Sequence, residues 1–285
     1  MGGGAWTTAS ATNYVTTAYS EHNVTSLDDL AHLTVNQIYA SASLDPALNP
    51  KGVVRECRDS DEHPETIPVI LALDVTGSMG SAAKNCAAKL NDIMENLYKD
   101  VKDVEFLMMG IGDLAYDNFP IQATQFESDV RILDQTTKIF FEGGGGGNSF
   151  ESYTAAWFFG LRNTDLDCWK RGKKGIIITM GDEPLNPYLP GSMLSKSLGC
   201  SAQDISTEEL YEQVKEKFNV YHIAITDREG SFEYYKDRIE SSWGKLLGQH
   251  CLYGSSQELP KLIRDIVNDS TDNNSIAMPA EGISW

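Results

Sequence analysis

Ile67–Asp74 reads IPVILALD, a continuous apolar run that ends on a carboxylate. A strand without polar alternation has to be covered on both faces, as in a parallel sheet flanked by helices. Comparable strands are predicted at Val104–Ile111 (VEFLMMGI), Lys174–Met180 (KGIIITM) and Val220–Thr226 (VYHIAIT). Between them lie helix patterns. Ala83, Ala87, Leu90, Met94 and Leu97 recur at helical spacing and give one apolar face through about Tyr98. Ser206–Phe218 opens with a capping box, Ser206 followed by Glu209. Further helices are predicted over Asp129–Phe141, from Asn148 or Ser149 to about Arg162, over Phe232–Leu247 and over Ser256–Val267. Phe119–Phe126 reads as the return strand of a hairpin and Cys251–Tyr253 as a short strand. The alternation implies an α/β fold: a doubly wound, mostly parallel central sheet with helices on both faces.

Residues 1–50 form an N-terminal extension. Its first half, rich in Gly, Ser and Thr, either drapes over the domain or stays mobile, and Ser26–Ala40 holds one short helix. Val53–Asp59 reads as an edge strand. The domain proper is placed at 51–270, with a polar tail over 271–285. Lys+Arg 23 against Asp+Glu 41 gives a net charge of -18. That balance disfavours nucleic acid and anionic membranes as partners. No apolar run approaches the ~20 residues needed to cross a bilayer. Met1–Ser10 has neither a basic nor an apolar stretch of the secretory kind. Five widely spaced cysteines without a CxxC pair argue for reduced thiols and a cytoplasmic location.

Three features each follow an apolar segment: Asp74-Val75-Thr76-Gly77-Ser78, the Gly143–Gly147 run with Asn148 and Ser149, and Gly181-Asp182-Glu183. In an open parallel sheet the carboxyl ends of the strands share one edge, where ligands bind. Asp74, Thr76, Ser78, Asp182 and either Asn148 or Ser149 would then form an all-oxygen cluster. Hard cations take such ligands, Mg²⁺ first, with Mn²⁺ or Ca²⁺ as alternatives.

This pattern resembles the von Willebrand factor type A (vWA) domain of the stand-alone bacterial kind, with its metal-ion-dependent adhesion site, over roughly residues 65–270. Asp74, Thr76 and Ser78 match the Asp-x-Ser/Thr-x-Ser element, and Asp182 matches the later aspartate. The second loop departs from the family, carrying Asn148-Ser149 where a Thr is usual, with Glu151 close behind as a further charge. The resemblance implies a Rossmann-like fold and a non-enzymatic, intracellular protein-binding module, a scaffold or assembly factor. In it a metal accepts an Asp or Glu carboxylate from a partner protein.

Other readings weigh against this one. Asp74 and Ser78 are also preferred helix caps. The glycine run lacks the Gly-Lys-Ser/Thr of a phosphate loop. A haloacid-dehalogenase-like phosphohydrolase would use Asp74 as nucleophile, but Thr76 and Asn186 stand where that chemistry needs acids. A structural or assembly protein with a degenerate metal site is the third alternative. His222, inside an apolar strand, reads as a core histidine, and Trp157, Phe158 and Phe159 as core.

Overall fold

The computed structural model describes residues 4–144 and 146–272. Six strands form the central sheet: β1 (Ile67–Asp74), β2 (Val104–Ile111), β3 (Ile121–Ala123), β4 (Gly175–Gly181), β5 (Phe218–Ile225) and β6 (Cys251–Gly254). Their spatial order is β3-β2-β1-β4-β5-β6. All neighbours run parallel except β3, which pairs antiparallel with the end of β2. The order reverses at β1, so the crevice beside the carboxyl ends of β1 and β4 is where this topology places ligands.

Alternate residues of each strand serve two cores. Val69, Leu71 and Leu73 of β1 face one side, with Phe106, Met108, Ile176, Ile178 and Ile223. That side is covered by α2 (Gly80–Ala88), α3 (Leu90–Asp100), α4 (Arg131–Thr136) and α8 (Leu259–Asp272). Ile70 and Ala72 face the other side, under α5 (Ala155–Arg162), α6 (Thr207–Val214) and α7 (Phe232–Ile239). The doubly wound, mostly parallel, Rossmann-like α/β architecture expected from the apolar runs is therefore present.

Several expected elements differ. The helix expected through Tyr98 is broken at Lys89 (φ -93, ψ -1), which re-aims its apolar face between α2 and α3. The helix expected over Asp129–Phe141 shortens to α4, because the Gln122 amide binds both backbone groups of Phe140 and draws that stretch towards β3. The helix expected from Asn148 or Ser149 starts only at Ala155. Before it, the chain is held irregular by Ser152 N–H on the Gly112 carbonyl and Thr154 N–H on Asn186 Oδ1. Val53–Asp59 is no edge of the main sheet: Arg55–Cys57 pairs in parallel with Thr164–Leu166 as a separate ribbon. Ser26–Ala40 holds no single helix but a 3₁₀ stretch, Asp28–His32, and a turn of α-helix, Val35–Ile38. There the Thr34 and Gln37 side chains form a capping box that starts a new turn. The last helix runs on to Asp272, and 273–285 of the expected tail lies outside the described residues.

Of the two states open for the N-terminal extension, the structure shows the draped one for residues 4–50. Trp6, then Val15 of α1 (Thr8–Ala18) and Tyr19, Leu30 and Tyr39 of the segment after it are buried in the same core as β1. Trp6 is 7% exposed and its indole N–H donates to Asn91 Oδ1 at 2.9 Å. Replacing it by Ala removes a large buried ring and its hydrogen bond. We expect Trp6→Ala to cost about 3 kcal/mol in urea unfolding, and an unchanged midpoint would show that the segment does not belong to the folded unit.

Candidate functional site

The first and third sequence elements meet directly. Ser78 Oγ donates to Asp182 Oδ1 at 2.9 Å, across 104 residues of sequence. Beside that contact, Thr76 donates to Asp74 Oδ1 through its hydroxyl (2.6 Å) and its N–H (2.9 Å). Asp74 and Asp182 are fully buried, while Gly77 is exposed and Ser78 half-buried, so the pocket opens at the first turn before α2. The second loop is stitched to the first: Gly77 N–H donates to the Gly144 carbonyl at 2.7 Å. A Cβ on Gly77 would stand 2.9 Å from the Gly143 carbonyl oxygen, so this approach requires glycine. A fourth segment, after β5, adds the Ser231 N–H on Asp182 Oδ2.

The predicted second-loop ligands are placed differently. Asn148 is exposed, and its Oδ1 accepts from the Phe150 N–H at 3.3 Å. It shares the space over Gly146 with Asp113 Oδ2. Ser149 takes a left-handed backbone (φ +61), and its carbonyl faces Arg238 at 3.4 Å. Glu151, by contrast, is 2% exposed, and its Oε2 has no hydrogen-bond partner. Burial, then the nearby charge of Asp74, pushes its carboxyl well above the usual range.

Tyr153 is a residue that the sequence reading missed, because nothing but its context separates it from any core aromatic. Its hydroxyl donates to Asp74 Oδ2 at 2.6 Å. The ring stands edge-on to His222 and Trp243, which themselves stack at 3.8 Å. Trp243 sits in a π-helical stretch, Glu240–Gly244, and its N–H holds the Glu183 carbonyl at 3.2 Å. The core reading of His222 is the one observed: its Nδ1 lies 2.9 Å from Thr179 Oγ1 inside the sheet. Tyr153→Phe keeps the packing but strips Asp74 of a donor. We expect a loss of about 1–3 kcal/mol in denaturant unfolding without metal, and an unchanged midpoint would show that this bond is not formed.

The carboxyl edge is electrostatically strained. Burial, then the charge of Asp182, raises the Asp74 carboxyl, and burial raises that of Asp182. Glu183 is pushed up to about 7 by burial and then by Asp182. A divalent cation is the natural relief for such a set. The donor chemistry fits: the Thr76 and Ser78 hydroxyls commit their protons to the two aspartates, which leaves oxygen lone pairs for a hard ion. Among the described residues, no group of three or more His, Cys, Asp or Glu stands ready to hold a metal, so any ion relies on the hydroxyls as well. The geometry suits a phospho-accepting aspartate poorly. Both Asp74 oxygens are engaged by donors, and the Asn186 amide is bound to Thr154 Oγ1 at 2.6 Å.

No family model and no curated protein matches this sequence. Among solved structures, the chain is similar to the pilus adhesin SpaC of Lactobacillus rhamnosus GG in its open conformation, with 13% identity and a TM-score of 0.49. That match covers 78% of this chain and 31% of SpaC, so the chain spans under a third of the adhesin. It is similar also to the vWF domain of the type V pili tip protein Mfa5 of Porphyromonas gingivalis, at 11% identity and a TM-score of 0.47. There 75% of this chain and 97% of the Mfa5 domain are covered. The fold itself is read from the strand order and its reversal at β1, not from these distant neighbours. Among the described residues no helix is long and apolar enough to cross a membrane.

Proposed function

We propose that this protein is a metal-dependent protein-binding module. Asp74, Thr76, Ser78 and Asp182 form its cation site. Of the second-loop candidates, Glu151 is favoured over Asn148 and Ser149, because it is the buried one with an unsatisfied oxygen beside Asp74. Mg²⁺ is the expected ion, with Mn²⁺ or Ca²⁺ as substitutes. When bound, it supplies an electrophilic position for a carboxylate. The partner is a protein that presents an Asp or Glu side chain. An intracellular scaffold or assembly role accords with five free cysteines, four of them buried.

The observation that carries this reading is the Ser78–Asp182 contact beside the Thr76–Asp74 pair. Two hydroxyls and two carboxylates from distant parts of the chain meet at one half-open place. The residues hold the site, orient the hydroxyl protons away from it and leave one side to solvent. Isothermal titration of the protein with each ion tests the reading. Binding of Mg²⁺ or Mn²⁺ is expected, and no heat with Mg²⁺, Mn²⁺ or Ca²⁺ would refute it.

A further inference from the structure

Arg238, on α7, borders the second loop and lies close enough to Glu183, next to Asp182, for its charge to act there. Its guanidinium carbon stands 4.9 Å from the centre of the Phe150 ring and 5.2 Å from that of Tyr235. One Nη reaches the Ser149 carbonyl oxygen of the second loop at 3.4 Å. Its charge also acts on Glu183 of the third loop, so it borders both. Arg58, Arg131, Arg171 and Arg264 all pair with acids. Among the described residues Arg238 has no such ion pair and remains exposed. An arginine fixed between two rings keeps its planar fork presented and loses little freedom on meeting an anion.

Its neighbours extend the surface. Tyr234 is 84% exposed and touches Tyr235 edge-on at 4.7 Å. Tyr116, 59% exposed, borders the Gly146–Gly147 backbone on the far side. Exposed tyrosines with an arginine are the side chains that dominate binding energy at interfaces. The floor behind them is acidic, with Asp74, Asp182, Glu151 and Glu183 buried or half-buried. An incoming carboxylate is therefore repelled by this floor, and a bound cation, Arg238 and, on the Ser78 side, Lys84 offset that repulsion.

We propose that Arg238 and the aromatic side chains around it read an acidic segment of the partner protein. One carboxylate of that segment goes to the metal and a second, within a few residues, pairs with Arg238, with Tyr234 packing along the segment. This rests on the metal-dependent reading above and names the partner's chemistry: two acids, not one. The charge complementarity is local. A basic segment would suit the buried acids but would face Arg238.

The test is a selection of random peptides displayed on phage against the full chain in Mg²⁺, eluted with a chelator. Wild-type protein should enrich peptides with two nearby acids. Arg238→Glu should enrich peptides in which one acid is replaced by a neutral or basic residue. It should bind the wild-type peptide about tenfold more weakly by fluorescence anisotropy. Arg238→Lys, which keeps the charge but loses the fork, should fall between. Circular dichroism should show the same fold in both variants, and the melting temperature of Arg238→Glu should fall only slightly, from the lost ring contacts and Ser149 bond. Equal binding of the wild-type peptide by Arg238→Glu overturns this inference alone, as does enrichment of basic peptides that a chelator still releases. Absence of any chelator-sensitive enrichment overturns the metal-dependent reading with it.

Discussion

Asp74→Asn should stabilise the metal-free protein and at the same time abolish its response to Mg²⁺. The two effects have one cause. Asp74 is fully buried, near Asp182 and Glu151, and its ionised form is disfavoured by burial and then by the charge of Asp182. An amide of the same shape removes a buried charge without opening a cavity. Thr76 can still donate to the amide oxygen, and the Tyr153 hydroxyl can accept from the amide nitrogen instead of donating. In a chelator at pH 8 we expect about 1–3 kcal/mol of added stability in urea unfolding. With saturating Mg²⁺ the wild type should gain about 3 kcal/mol by mass action at a hundredfold excess over Kd, and the variant nothing. A variant less stable than wild type in chelator would show that Asp74 serves packing alone. A retained Mg²⁺ shift would place the ion elsewhere. Ser78→Ala, which leaves Asp182 Oδ1 without its donor, should lose the Mg²⁺ response without the gain in chelator.

The second large effect is a slope in pH. Glu183, Asp74, Asp182 and Glu151 all have raised folded-state values. Between the ordinary carboxylate range and its raised value, such a group holds more proton in the folded state than in the unfolded one. Stability then falls as the pH rises through that window. Glu183 completes its part near 7, and Glu151 keeps its proton longest. His222 acts in the opposite sense: burial lowers it to about 3, so its contribution is lost as the pH falls below its ordinary 6.5. The two trends oppose each other between about 4.5 and 6.5, and only the carboxyls act above that. In chelator the stability should peak at about pH 4–5, because the four raised carboxyls outweigh the one histidine, and decline from there to pH 9 by about 1.4 kcal/mol per pH unit for each proton still held. Added Mg²⁺ should flatten that alkaline decline, because the cation takes over from the protons. Stability that climbs from pH 7 to 9 in chelator would contradict the arrangement of buried acids described here.

The strands were legible because a doubly covered strand has to be apolar throughout, and Ile67–Asp74 and Val104–Ile111 match β1 and β2 residue for residue. The pairing of Asp74 and Asp182 was legible for the related reason that parallel strands deliver their next residues to one edge. The second loop was not. Glycine runs carry no period, and the choice among Asn148, Ser149 and Glu151 depends on which side chain the loop turns inward. Ser152 and Thr154 decide that through bonds to the Gly112 carbonyl and to Asn186, neither visible in local spacing. Tyr153 was hidden because a hydroxyl aimed at a carboxylate and a ring packed in a core look alike in sequence. The N-terminal extension was hidden by its polar composition, since Trp6, Val15 and Tyr19 are too widely spread among Thr, Ser and Asn to mark a face.

The draped extension has a mechanical consequence. At one end the Gly4 carbonyl is gripped by His63 and Ser128, beside the strand starts. At the other, the Tyr39 hydroxyl binds the Ala83 carbonyl of α2 at 2.9 Å, and its ring lies against Phe141, just ahead of the glycine run. The segment is thus a strap fastened at opposite poles. It couples the strand starts to the helix that begins beside Ser78 and to the loop that carries Glu151, so loosening it at one pole would be felt at the candidate site on the other.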